Sequence, residues 1–221
     1  MSEKEMDIEH IQNAPGVMRV APRRPSRIAS GGPAGIFSFA STTFILSMFN
    51  VNARGITIPN VVVGMAIFSG GLVQFVAGMW EYPRGNVFGA TVFASYGAFW
   101  MSYATIFIPS SGILAAYPAG SPELASALGI YLCAWLIITV LFLIPCLFRS
   151  VAFVAVLTTL ATTFALLAGA QFSGMLAVQK AGGVFGLLTC AIAYYIGLSE
   201  LLDAEKKPLF RLPLGTMYVN D

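Results

Sequence analysis

The residues that could handle a solute lie in stretches that carry no charge. Phe39, Thr43, Leu46 and Asn50 follow one another at intervals of four, three and four, which on a helix places them on one face. Gln74 sits beside Gly70, Gly71 and Gly78, again at helical spacing. Gly89, Phe93, Tyr96, Trp100 and Tyr103 form a third stripe, and Leu160, Phe164, Leu167 and Gln171 a fourth. Hydroxyls, amides and aromatic rings with no fixed charge among them suit a narrow path for a small weak acid or base crossing in neutral form. Each stripe also reads as plain helix packing, because small residues let membrane helices approach and polar side chains bond between them. Gly70–Gly71, Gly85-x-x-x-Gly89 and Gly182-x-x-x-Gly186 fit that packing role.

Two carboxylates lie near the ends of these stretches. Glu81 and Glu200 read as interfacial charges, paired with Arg84 or Lys206, or in the case of Glu200 as a proton relay at the inner mouth. Enzymatic motifs are missing: there is no Walker-type loop, nucleophile elbow or carboxylate pair. The sole histidine, His10, is remote from Cys133, Cys146 and Cys190, which all lie in apolar stretches. A metal cluster is therefore not expected, and neither is a disulfide framework. The sequence predicts no catalysis, no metal and no cofactor.

The elements that must position these residues are membrane helices. Charges at Arg27, Arg54, Glu81, Arg84, Glu123, Arg149, Lys180 and Glu200 bound six apolar stretches. Crossing a bilayer takes about 20 residues, and a charge at its centre costs ~3 kcal/mol, so charges collect at helix ends. Of 221 residues, 57% are hydrophobic and 10% charged, against about 25% charged in soluble domains. Helices are predicted near 33–51, 56–79, 85–107, 124–148, 150–171 and 181–203. A β-barrel is disfavoured, because Val61 to Gly78 shows no polar/apolar alternation. The organisation is a disordered cytosolic tail over 1–32, a six-helix all-α transport domain over 33–205 and a cytosolic tail over 206–221.

Orientation follows from the cations. Lys4, Arg19, Arg23, Arg24, Arg27, Arg84, Arg149, Lys206, Lys207 and Arg211 share one side, and Arg54 and Lys180 the other. That bias places both termini in the cytoplasm, and the net charge of +2 is a topology signal rather than a nucleic-acid footprint. The polar, initially acidic N-terminus lacks the order of a signal peptide. Arg23-Arg24-Pro25-Ser26 reads as a headgroup anchor or as a phosphorylation site at Ser26. Ile108–Glu123, rich in Pro and Gly, reads as the long external loop.

Several segments together resemble the acetate uptake transporter family of bacterial succinate–acetate permeases and fungal acetate and ammonia-export proteins. They include Pro33-Ala34-Gly35-Ile36-Phe37-Ser38-Phe39, Gly70-Gly71-Leu72-Val73-Gln74, Ala77-Gly78-Met79-Trp80-Glu81-Tyr82, Ser95-Tyr96-Gly97-Ala98-Phe99-Trp100, Phe164-Ala165-Leu166-Leu167 and Leu212-Pro213-Leu214-Gly215. Asn60-Val61-Val62-Val63-Gly64 is similar to the fungal branch. The resemblance implies a hexameric ring of six-helix protomers in the plasma membrane, each with its own pathway for acetate and similar small monocarboxylates. It also implies a constriction at Phe39, Tyr96 and Leu160; the stripes themselves supply Thr43, Asn50, Gln74, Trp100 and Gln171 as polar lining. The family signature opens Asn-Pro-Ala-Pro-Leu-Gly-Leu, whereas this chain has Ser30-Gly31-Gly32-Pro33-Ala34-Gly35-Ile36. The leading Asn is lost, and Ser30 is left as the candidate cap. Proton-linked monocarboxylate transport is the expected activity. An ammonia or ammonium export channel, and a membrane sensor or scaffold without transport, are the alternatives.

Overall fold

The computed structural model describes residues 28–217; Ser26 and its basic neighbours lie outside them. Six long helices account for most of that span: α1 Gly32–Asn50, α2 Val62–Glu81, α3 Val87–Phe107, α4 Pro122–Cys146, α5 Val151–Ser173 and α6 Leu176–Asp203. Among the described residues there is no β-strand, only an isolated bridge between Ser150 and Thr216.

Local chemistry explains the helix boundaries. Pro33 opens α1, where its missing N–H costs nothing. Asn86, Ser121 and Ser150 cap α3, α4 and α5, their side chains accepting from the backbone N–H of Gly89, Glu123 and Phe153. Gly174, at φ +67°, ends α5 in the left-handed conformation that favours glycine. The expected start of α2 at residue 56 is six residues early. The chain first turns through Ala53–Gly55, with Asn52 and Arg54 both at positive φ, and the helix begins at Val62.

Five of the helices are long and apolar enough to cross a membrane, not six. The exception is α3, with 21 uncharged residues. Its length suffices, but Gly89, Ser95, Gly97, Ser102 and three hydroxyl or indole aromatics dilute its apolar character. Of these Tyr96, Gly97 and Trp100 face inward and are buried, beside Phe99. The bundle shelters α3 with α2 on one side and surrounds it with aromatic side chains of α4 and α5, so α3 has less need of an apolar surface.

Glycines set the closest approaches. A side-chain carbon at Gly70 would come within 2.7 Å of Thr42 Oγ1 and of Trp100 Cδ1. One at Gly186 would lie 2.2 Å from Ser47 Oγ, and one at Gly182 2.7 Å from Leu167 Cδ2. Gly70 and Gly71 lie in a π-helical turn, Phe68–Val73, that interrupts α2. Such a turn shifts the register of the residues that follow, and Gln74 comes directly after it.

The C-terminal segment does not hang free. The backbone N–H groups of Val151 and Ala152 donate to Gly215 and Leu214 O, and Met217 N donates to Arg149 O. Ser199 Oγ and Tyr195 Oη donate to Leu212 and Pro213 O. The described part of the expected tail, up to Met217, is thus a strap across the ends of α5 and α6.

Candidate functional site

One end of the bundle is organised by a buried carboxylate. Glu81 is 1% exposed. Its Oε1 accepts from Gly31 N at 2.9 Å and Ser30 Oγ at 3.0 Å, and its Oε2 from Asn86 Nδ2 at 2.8 Å. Arg84 Nε pairs with it at 3.3 Å and the same arginine donates to Ile28 O. The carboxylate sits at the N-terminus of α1, where the backbone dipole favours negative charge. Glu81 is therefore a tie between the start of α1 and the α2–α3 turn, and not the ordinary interfacial charge the sequence suggests. Glu200 of α6 approaches the same helix start: a carbon added to Gly32 would lie 2.6 Å from its Oε2.

Two cavities run inward from opposite ends of the bundle. The wider, about 240 Å³, is lined by Thr43, Asn50, Trp100, Gln171 and Gln179 among others. The narrower, about 90 Å³, is lined by Ser30, Gln74, Asn86, Arg149 and Glu200. Phe39, Tyr96 and Leu160 line both. They come from three different helices and all three are buried, with the Phe39 and Tyr96 ring centroids 5.8 Å apart. Tyr96 is also braced by Trp135 and Phe142 of α4, at 6.2 and 5.9 Å between centroids.

The polar atoms around this junction have defined hydrogen-bonding roles. Tyr96 Oη lies 2.8 Å from Thr139 Oγ1, which donates its only proton to Trp135 O at 2.7 Å. The Tyr96 hydroxyl must therefore be the donor to Thr139. Its remaining lone-pair capacity can only accept. Thr43 Oγ1, Gln74 Oε1 and Trp100 Nε1 are buried without a hydrogen-bond partner among the described residues. Leaving such a group unpaired costs about 1–3 kcal/mol each, a cost that a polar solute could offset. Trp100 offers a donor in the wide cavity, and Gln74 an acceptor in the narrow one.

Every residue predicted as polar lining touches one of these cavities: Thr43, Asn50, Trp100 and Gln171 the wide one, Gln74 the narrow one. Glu200 is also in the narrow cavity. The predicted packing pair Gly85 and Gly89 behaves differently. Gly85 precedes α3 at φ +77° with nothing near its Cβ position, so its role is to turn the chain. Gly89 makes room for the Asn86 cap, its Cβ position lying 2.4 Å from Asn86 Nδ2. Arg149, Asn86 and Gln179 escaped the sequence reading. Asn86 carried a signal, being an Asn immediately before an apolar run. Arg149 read only as a charge between two helices. It lies between α4 and α5, outside the spans, where it lines the narrow cavity.

Residues 12–218 match the GPR1/FUN34/yaaH family. The chain is 47% identical over 176 residues to ammonia transport outward protein 2 of Saccharomyces cerevisiae, covering 80% of this chain and 62% of that protein. It is 38% identical over 211 residues to acetate permease A of Emericella nidulans, covering 91% and 70%. The chain thus spans about three fifths of the length of the first of these relatives and seven tenths of the second. The solved structure of a bacterial acetate channel, SatP, superposes with a TM-score of 0.75 at 31% identity, covering 85% of this chain and all of that one.

Proposed function

The chain belongs to the GPR1/FUN34/yaaH family, and on that premise we propose that it conducts acetate and similar small monocarboxylates across the plasma membrane together with a proton. It is an integral membrane protein, with five candidate spans and transporter relatives. In this reading α3 is the sixth span, at the centre of a protomer of a hexameric ring. The observation that carries the proposal is the meeting of two cavities at Phe39, Tyr96 and Leu160. A continuous path interrupted by one narrow apolar point suits a solute that sheds its water there.

The hydrogen-bond directions support passage of the protonated acid. At the junction Tyr96 offers only an acceptor, and Gln74 Oε1 beneath it is an unpaired acceptor. A carboxylic acid brings an O–H to such atoms, which a carboxylate lacks, while the unpaired Trp100 Nε1 of the wide cavity can donate to either form. Desolvating a bare anion at this point carries a large cost. On the proposed orientation the Arg84, Arg149 and Glu200 end faces the cytosol. Ile28 and Met217, the two described ends of the chain, contact Arg84 and Arg149 there, which supports two cytosolic termini.

Ammonia is the second reading, favoured by the yeast relative's name and by the same acceptors, since ammonia also donates. Purified protein in vesicles, tested for acetate and for ammonia flux side by side, decides between them. Absence of both fluxes favours a sensor or scaffold. Native mass in detergent at six protomers supports the ring, and a transporting monomer removes it.

A further inference from the structure

We infer that Arg149 is a carboxylate-docking residue at the narrow-cavity end of the pathway, a role that distinguishes acids from ammonium. The inference rests on the transport reading above and names the substrate class it selects. Arg149 stands between α4 and α5, outside the helices, and lines the narrow cavity with Glu200, Asn86 and Gln74. Its guanidinium lies over the Phe88 ring, 4.6 Å from the centroid. A cation held by its face keeps its edge N–H groups available. Those groups form no hydrogen bond or ion pair among the described residues, although Glu200 lines the same cavity. By contrast Arg84 pairs with Glu81, donates to Ile28 O and is not among the residues lining this cavity. Asn86 and Ser30 are consumed: Asn86 donates to Glu81 and accepts from Gly89, while Ser30 donates to Glu81 and accepts from Gly32. Arg149 is thus the uncommitted strong donor of this cavity.

The backbone at Arg149 is positioned by the C-terminal strap. Met217 N donates to Arg149 O, Ser150 bridges Thr216, and Val151 N donates to Gly215 O. Gly215 is at φ +65° and packs against Val151, so a side chain there would push the strap away. Two contacts, the strap at its backbone and Phe88 under its guanidinium, place the exposed Arg149 at the mouth of the cavity. A carboxylate matches the guanidinium fork, while an ammonium ion is repelled by it. An acid leaving its proton near Glu200 would be retained as the anion at Arg149.

The test uses wild-type protein in phosphatidylcholine vesicles and the arginine reagent phenylglyoxal, read by peptide mass mapping. Potassium acetate should slow modification of Arg149 severalfold relative to potassium chloride at equal ionic strength, with Arg54 and Arg211 unaffected. In vesicles sorted by a C-terminal tag, Arg149→Gln should raise the acetate KM from the Arg149 face on the order of tenfold to a hundredfold, the range for a hydrogen bond to a charged group. Arg149→Lys should recover part of this, and the KM from the opposite face should stay near wild type. Equal modification with and without acetate overturns the inference, as does a KM raised equally from both faces. Protection by phosphatidylserine vesicles in place of acetate would assign Arg149 to a lipid headgroup instead. If Arg149→Gln does not fold, the protection measurement on wild type decides alone. Wild type that moves acetate without protecting Arg149 sinks this inference only; wild type that moves no acetate sinks the transport reading itself.

Discussion

The Tyr96 hydroxyl is the donor to Thr139 Oγ1, 2.8 Å away, because Thr139 spends its own proton on Trp135 O. A tyrosine in a pathway is usually counted as a donor for an anion. Here Thr139 converts it into an acceptor, and the phenol sits where two cavities meet.

Replacing Thr139 with Val removes that acceptor and frees the Tyr96 proton. Acetate flux in Thr139→Val should then depend less on pH than in wild type, because the anion gains a donor at the narrow point. Tyr96→Phe should lower flux severalfold at pH 5 without that flattening. Tyr96→Phe loses one buried hydrogen bond and Thr139→Val two, those to Tyr96 Oη and Trp135 O, at about 1–3 kcal/mol for each buried group left unpaired. Flux measured in vesicles from pH 5 to 7 checks both, and a steep profile in Thr139→Val contradicts the donor assignment.

Leu160 is 4% exposed and packs into the same narrow point. Leu160→Ala should admit bulkier acids such as lactate, at a stability cost of about 2–5 kcal/mol. Competition of lactate against labelled acetate reads the change. An unchanged profile of competing acids would remove Leu160 from the path.

For pH the sign is set by the substrate. A small carboxylic acid titrates near a glutamic acid, at roughly 4.3. Above that value its protonated fraction falls about tenfold per unit. Protein-dependent uptake at fixed total acetate should therefore fall as external pH rises from 5 to 7, with protons moving inward. Glu200→Gln should reduce the accompanying proton flux if Glu200 passes the proton on. Acetate current without proton movement, flat over the same range, would mark an anion channel.

Glu81 should matter more for assembly of the fold than for flux. Glu81→Ala leaves Arg84 unpaired and strips an acceptor from Ser30, Gly31 and Asn86. Each buried donor left unpaired costs about 1–3 kcal/mol. Thermal unfolding in detergent should show the largest loss at this position, and a wild-type melting temperature would refute the tie between α1 and α3.

Tags at residues 2 and 220 should resist external protease in intact cells, as the Lys/Arg bias implies. Cleavage of either one reverses the orientation proposed here.

Much of the architecture is legible along the chain because the bilayer imposes a one-dimensional rule. Charges avoid its core, so Arg54, Glu81, Arg84, Glu123 and Arg149 bound helices before any folding is considered. The stripe of Tyr96 and Trp100 is equally visible, since helical spacing alone puts residues four apart on one face. What the tertiary structure decides is which face meets which. The π-turn at Phe68–Val73 carries Gln74 into the narrow cavity, and no periodicity count registers one extra residue in a turn. Glu81 looks like any helix-end charge until Ser30 and Asn86, from two other segments, converge on it. Thr139 is one of many threonines in apolar helices, and only its position opposite Tyr96 sets the direction of that hydrogen bond. The membrane rule acts on each helix separately and so can be read residue by residue, whereas polarity along the pathway depends on atoms brought together from different helices.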